Sequence, residues 1–198
     1  MSANPKIRIF LTGVGGQGTL TATTLLAKTV LAQGLDVTSG EIHGMAQRGG
    51  VVESTVLIGC KSPKLGHGEA DILVGFEPME TMRALPYLKK GGLIISSTEF
   101  MPPLSVAMGK EECPTIEDIK AAVAGCTDKV YFMASQAIGL EAGAVQAGNI
   151  AILGALCAAG ELPFGPEALE EAIKVNLPAK IQAVNLKALE LGVNALNT

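Results

Sequence analysis

The sequence predicts a doubly wound α/β domain: an open, mostly parallel sheet with helices on both faces. Three observations predict it. Apolar and β-branched runs recur at 6–12, 70–76 and 93–97, as expected for central strands covered on both sides. Helical stretches with their own start and stop signals lie between them, at 20–31 and 79–88. A glycine cluster, Gly13-Val-Gly-Gly-Gln-Gly18, stands at the first strand-to-helix junction. A βα rhythm of this kind places a ligand crevice at the carboxyl ends of the strands. At 198 residues the chain suits one domain, with its core over 6–192.

Along the chain, the strand at 6–12 turns abruptly into the helix at 20–31, and glycine tolerates that geometry. Gly13, Gly15 and Gly18 fit the G-x-G-x-x-G spacing. The amides of Gly16, Gln17 and Gly18 then fall at a helix N-terminus, where unpaired N–H groups and the helix dipole favour negative charge. Two readings stand: an anion or nucleotide cradle, or a tight turn with no ligand. Helix 20–31 holds a single charge, Lys28, before Gly34 stops it, and its threonine-rich polar side predicts an outer face that is partly covered.

A short strand at 36–42 contains Glu41 and runs into His43-Gly-Met-Ala-Gln-Arg-Gly-Gly50, after which strand resumes over 51–58. Glu41 stands where nicotinamide enzymes place a ribose-binding acid. The neighbouring loop, with Gln47, Arg48, Gly49 and Gly50, looks built to grip something itself. Glu77-Pro78 follows strand 70–76 and borders the expected crevice, or simply ends the strand. Pro86 weakens helix 79–88, and Gly91-Gly92 opens strand 93–97. Residues 98–114 read as an extended surface segment. Thr115, with Asp118 in the capping-box position, starts a helix running to 124, and 130–134 is the last strand.

The run 137–160 has one charge, Glu141, among many small and apolar residues. It lacks the unbroken apolar length of a membrane span. Buried helices packed through small residues account for it better, and the surplus of apolar faces predicts a partner subunit. Pro166 opens a helix to 175, and Pro178 opens another ending at Gly192, with Ile181, Val184, Ala188 and Leu191 on one face.

Composition excludes several classes. A hydrophobic content of 48% with a net charge of -4 leaves no basic footprint for nucleic acid. The first eight residues lack a secretory layout, so a cytoplasmic protein is expected. Cys60, Cys113, Cys126 and Cys157 include no C-x-x-C pair, which argues against a zinc or iron–sulfur site on this chain. His43 and His67 are the two histidines, too few for a His-based metal site. His43 reads as a hydrogen-bonded structural residue or, from its titration range, an acid–base group. Arg48 reads as a fork for phosphate or carboxylate, or as a scaffold partner of Glu41 or of another subunit's acid. Gln17 reads as an anion donor or as a hydrogen bonder at the helix start.

The two glycine motifs, in this order and spacing, resemble the γ subunit of 2-oxoacid:ferredoxin oxidoreductases, and within that group the small (beta) subunit of indolepyruvate ferredoxin oxidoreductase. The resemblance spans nearly all of 6–192 and includes Asn149 and the Asn185-Leu-Lys-Ala-Leu stretch. It implies a Rossmann-like fold. It also implies a complex that oxidatively decarboxylates a 2-oxoacid to an acyl-CoA, with thiamine diphosphate and [4Fe-4S] clusters on larger partner subunits and ferredoxin as electron acceptor. This chain would then be non-catalytic and cap the region where coenzyme A enters, its glycine loop meeting a CoA phosphate. The candidate cofactor-binding set is Gly13, Gly15, Gly16, Gln17, Gly18, Glu41, His43, Gln47, Arg48, Gly49 and Gly50. Two other readings compete: a self-sufficient NAD(P)-dependent dehydrogenase, for which the chain shows no hydride-transfer site, and a nucleotide-binding adaptor.

Overall fold

The computed structural model describes residues 5–43, 50–101 and 113–196. Among them six strands form one sheet: β1 (Ile7–Val14), β2 (Val37–His43), β3 (Val51–Ile58), β4 (Ala70–Gly75), β5 (Leu88–Ser97) and β6 (Val130–Met133). Their order across the sheet is β2-β3-β1-β4-β5-β6. The pairs β1–β4, β4–β5 and β5–β6 are parallel. One strand departs from the expected parallel rhythm: β3 runs antiparallel to both β1 and β2 and lies between them. The physical reason is the short link at 44–50, which returns the chain as a hairpin, whereas a parallel neighbour needs a crossover of a dozen residues or more.

Helices cover both faces, as the alternation of β1 dictates. Ile9 and Leu11 point into one layer and Phe10 into the other. The first layer holds α1 (Thr19–Ala32), α4 (Ser135–Ala142), α5 (Gly148–Ala158), α6 (Pro166–Asn176) and α7 (Ala179–Leu196). The second holds α2 (Pro78–Ala84) and α3 (Ile116–Ala124). Thr115 caps α3 as expected: its Oγ1 accepts from the Asp118 N–H, and Asp118 accepts from the Thr115 N–H.

Several boundaries move for local reasons. Helix α2 stops at Ala84, and Leu85–Tyr87 tightens into a 3-10 turn, since Pro86 has no N–H to continue the ladder. Strand β5 starts at Leu88, before the glycine pair, and its register against β4 slips between Ala70 and Ile72, so Gly91-Gly92 sits in a bulge. The last helix runs past Gly192 to Leu196, because that glycine serves a helix crossing.

Two observations bear on the surface expected to be covered. Within the run 137–160, every residue of α5 from Gly148 to Cys157 is buried inside this chain, under α7 and the sheet, while Leu140 and Val145 stay 66% and 42% exposed. The outer face of α1, by contrast, is open in this chain, with Leu20 45% and Leu31 59% exposed. No described helix is long and apolar enough to cross a membrane.

Candidate functional site

The antiparallel β1–β3 pairing brings the two glycine motifs together. Val14 at the end of β1 pairs with Val51 at the start of β3, and the Gly15 N–H donates to the Gly50 carbonyl at 2.8 Å. Motifs far apart in sequence thus form one rim at the carboxyl end of the sheet. His43, at the end of β2, lies in the same row as Val52 and Gly13. Gln47, Arg48 and Gly49 lie outside the described residues.

Gln17 locks this rim. Its Oε1 accepts from the Val14 N–H and its Nε2 donates to the Phe76 carbonyl, both at 2.9 Å. The amide therefore ties the glycine loop to the end of β4, and both ends of it are engaged. Gly13 sits beneath, where an added Cβ would come within 3.0 Å of Gln17, Thr19 and Phe76. Gly18 has φ +78, the left-handed region that favours glycine, and a side chain there would meet Asn149 Nδ2 at 2.4 Å. Asn149, buried at the start of α5, donates from Nδ2 to the Gly18 carbonyl at 3.2 Å. The Gly16 and Gly18 N–H groups have no partner among the described residues.

Glu41 is on the outermost strand. It pairs with Ser54, which pairs with Leu11, so β3 stands between it and β1. Two strand spacings, about 10 Å, separate it from the strand that carries the glycine loop. A dinucleotide fold places the ribose acid on the neighbour of β1, and this sheet puts β3 there instead.

Sequence reasoning passed over a buried polar network beside the loop. Glu77, 1% exposed, caps α2: its Oε2 accepts from the Glu80 N–H at 2.9 Å and its Oε1 from the Met101 N–H at 3.3 Å. Thr81 Oγ1 lies 2.7 Å from Ser96 Oγ, and Ser135 Oγ donates to Ser97 Oγ at 2.9 Å. The Glu99 carboxylate accepts from the Gln136 and Ala137 N–H groups, filling the N-terminus of α4 with an anion from the chain itself. Apart from the local Glu77 cap on Glu80, these partners lie at least 15 positions apart along the chain, so no local pattern announced them.

Burial holds the Glu77 carboxyl above its usual range, against the N–H donors of Glu80, Met101 and Met79 and the Arg83 charge, which pull it down. Glu80 is also pushed up, by burial first, with Arg83 opposing and Glu77 adding to the rise. An acid whose folded pKa is raised lends stability that is present below its unfolded pKa and is lost as pH rises through the folded value. Urea midpoints of the wild type and Glu77→Gln should therefore shift relative to each other between pH 4.5 and 7.5, the wild type losing ground as pH rises. A difference that stays constant over that range would refute the assignment.

Cys157 is buried, and desolvation with the nearby Glu167 charge pushes its thiol up to about 12. Among the described residues, no group of three or more His, Cys, Asp and Glu side chains could hold a metal ion.

Comparison with known proteins places this architecture. The family model for pyruvate ferredoxin/flavodoxin oxidoreductase matches residues 8–195. The chain belongs to the pyruvate ferredoxin/flavodoxin oxidoreductase family. Among its relatives, the indolepyruvate oxidoreductase subunit IorB of Pyrococcus horikoshii is 40% identical over 96% of this chain and 96% of its own length. The γ subunit of a keto/oxoacid ferredoxin oxidoreductase from Geobacter sulfurreducens superposes with a TM-score of 0.71 at 21% identity, over 96% of this chain and 98% of that one. A 2-oxoglutarate:ferredoxin oxidoreductase from Magnetococcus marinus, solved with 2-oxoglutarate, coenzyme A and succinyl-CoA bound, matches with a TM-score of 0.68 at 18% identity. There the match covers 97% of this chain but 31% of the longer one. In this chain the β1–β3 pairing brings the two glycine motifs to a single edge, and the Gln17 bridge ties that edge to the end of β4.

Proposed function

We propose that this chain is the γ-type subunit of a 2-oxoacid:ferredoxin oxidoreductase complex, acting on indolepyruvate or a related aryl-pyruvate. The complex oxidatively decarboxylates the 2-oxoacid to an acyl-CoA and passes the electrons to ferredoxin. Thiamine diphosphate and [4Fe-4S] clusters belong to the larger partner subunits, and this cytoplasmic chain caps the region where coenzyme A enters. The observation that carries the reading is a likeness to an indolepyruvate oxidoreductase subunit along practically the whole of both chains. Part of the candidate set, Gly13, Gly15, Gly16, Gln17, Gly18 and Gly50, converges on one rim and supports a ligand-facing role; His43 ends the strand beside it, and Gln47, Arg48 and Gly49 lie outside the described residues. A solved relative in which the equivalent domain is one part of a longer chain supports a permanent partner for a free-standing copy.

The expected result is co-purification with a large thiamine- and iron–sulfur-containing subunit. Mixed with that partner, the chain restores CoA-dependent reduction of a viologen dye by indolepyruvate, and alone it reduces none. Turnover of a 2-oxoacid or a hydroxyacid by the lone chain would overturn the proposal.

A further inference from the structure

Strand β2 is an edge of the sheet, and the hydrogen bonds beside it fix which of its main-chain groups face outward. The Gly59 N–H donates to the Asp36 carbonyl at 2.8 Å, and these two residues continue the register that pairs Val37 with Ile58. Bonded and non-bonded pairs alternate along an antiparallel ladder. Thr38, Gly40 and Ile42 therefore direct their N–H and carbonyl groups at β3, and Val37, Ser39, Glu41 and His43 turn theirs away from the sheet. The β1–β3 ladder agrees, since the Gly15 bond to Gly50 leaves the odd-numbered residues of β3 to bond with β2.

An open edge of this length invites another strand, and proteins commonly blunt such edges with proline, lysine, a bulge or short length. The stretch Val37–His43 contains neither proline nor lysine, and its register against β3 is unbroken. The opposite edge, β6, is the protected kind, at four residues. Apolar side chains add to the open edge on both faces of the sheet. Ile42, 69% exposed, lies on the Phe10 face, which it shares with Gly40 and Thr55. On the other face α1 packs over β1, β3 and β2 and leaves Leu20 and Leu31 open.

The residues of β2 select a second β2 as the strand that fits. Antiparallel pairing of two copies bonds outward residues to outward residues, and the register centred on Gly40 pairs all four of them: Val37 with His43 of the second copy, and Ser39 with its Glu41. A shift one way sets Glu41 directly opposite Glu41 of the second copy, a like-charge contact, and a shift the other way leaves His43 without a strand residue to pair with. At the centre the two Gly40 residues form a non-bonded pair, where strands approach to about 4.5 Å between Cα atoms and neither residue has a side chain in the way. We infer that β2 pairs with β2 of a second copy of this chain about a two-fold axis at Gly40, joining two six-stranded sheets into one. Ile42 then lies opposite Thr38 of the second copy. The two α1 helices flank the seam on one face, antiparallel, with Leu20 and Leu31 as the apolar surface available to that layer. A two-fold interface uses one patch twice, and this strand complements itself in charge and in hydrogen bonding. The inference concerns assembly and does not rest on the proposed chemistry.

Light scattering on the full chain, alone and reconstituted with its large partner, should find two copies of it per particle. Ser39→Pro removes one outward N–H and no bond to β3, so the lone variant should become a single copy with an unchanged far-ultraviolet spectrum. Ser39→Lys sets a cation opposite Glu41 of the second copy at two symmetric points and should tighten the pair by about fivefold, and Ser39→Glu should loosen it by about as much. Register is read by co-expressing Ser39→Cys and Glu41→Cys chains. A bonded antiparallel pair holds its Cα atoms about 5.5 Å apart, within disulfide reach. Oxidation should therefore cross-link the mixed chains, while either variant alone should cross-link no more than the wild type with its native thiols. One copy per particle in either preparation, a lone Ser39→Pro chain that stays paired, Ser39→Glu tighter than Ser39→Lys, or no cross-link between the mixed chains would each overturn the inference. So would a cross-link that forms in the lone chains and is lost when the large subunit is added, since that subunit would then occupy the edge.

Discussion

Gly192→Ala is expected to destabilise the chain by about 3 kcal/mol, the upper end of the usual range for overpacking a core. An alanine Cβ at this position would lie 2.0 Å from the Ala151 carbonyl oxygen, 2.6 Å from its carbon and 2.7 Å from its Cα. All three are main-chain atoms of α5, which is buried on every side, so the neighbour has nowhere to retreat. The same crossing brings Gly154 against the Leu189 carbonyl, so α5 and α7 cannot separate at one end without strain at the other. For a chain of this length about 3 kcal/mol corresponds to a fall in Tm of roughly 6–12 °C, readable by calorimetry. Gly34→Ala is the comparison: φ is +71 there, but nothing lies within 4 Å of the added carbon, so only the left-handed backbone penalty of about 1–2 kcal/mol applies. A Gly192→Ala protein as stable as the wild type would show that the two helices are not in contact as described.

The other large effect is expected at Gln17. Gln17→Ala removes both hydrogen bonds of the bridge and leaves the Val14 N–H and the Phe76 carbonyl without their partner. Unmet polar groups of this kind cost about 1–3 kcal/mol. Chemical denaturation should record that loss, and the reconstituted complex should lose CoA-dependent rate by more than tenfold, because the rim formed by the two glycine motifs is no longer fixed to the end of β4. Gln17→Glu separates the two bonds: the carboxylate still accepts from Val14 but cannot donate to Phe76, and it sets a negative charge against that carbonyl. It should be no better than alanine. Wild-type stability together with wild-type rate in Gln17→Ala would remove the bridge from the account of the site.

Much of this site was legible before any coordinates. The Gly13–Gly18 stretch reads as a strand-to-helix turn because glycine periodicity, the preceding apolar run and the following helix agree locally. The bounds of β3 came out as Val51–Ile58 from β-branched content alone. The capping box at Thr115 and Asp118 is a four-residue signal and needed no tertiary information. What the sequence hid is equally specific. Alternation within β3 says that one side is buried, but it says nothing about which strand lies beside it or in which direction, and those two facts decide where Glu41 stands relative to the glycine loop. Gly192 reads as a helix stop, since the residue that ends helices is also the one that lets helices touch. The Asn149 bond to Gly18 spans 131 positions, and the Glu99 cap on α4 spans 37. Neither leaves a trace in local pattern.

Sequence by itself determined the elements and the chemistry available to them: strands where β-branched residues cluster, helices between their caps, a loop with bare amides, and no cysteine or histidine cluster. Tertiary structure alone decided adjacency. It set the hairpin strand between β2 and β1, joined the two glycine motifs by one backbone hydrogen bond, and brought Gln136, Gln146 and Asn149 to the cleft beside the loop. The division has a physical cause: propensity and capping act over a few residues, while register, close packing and hydrogen bonds across the sheet depend on distances that only the folded chain defines.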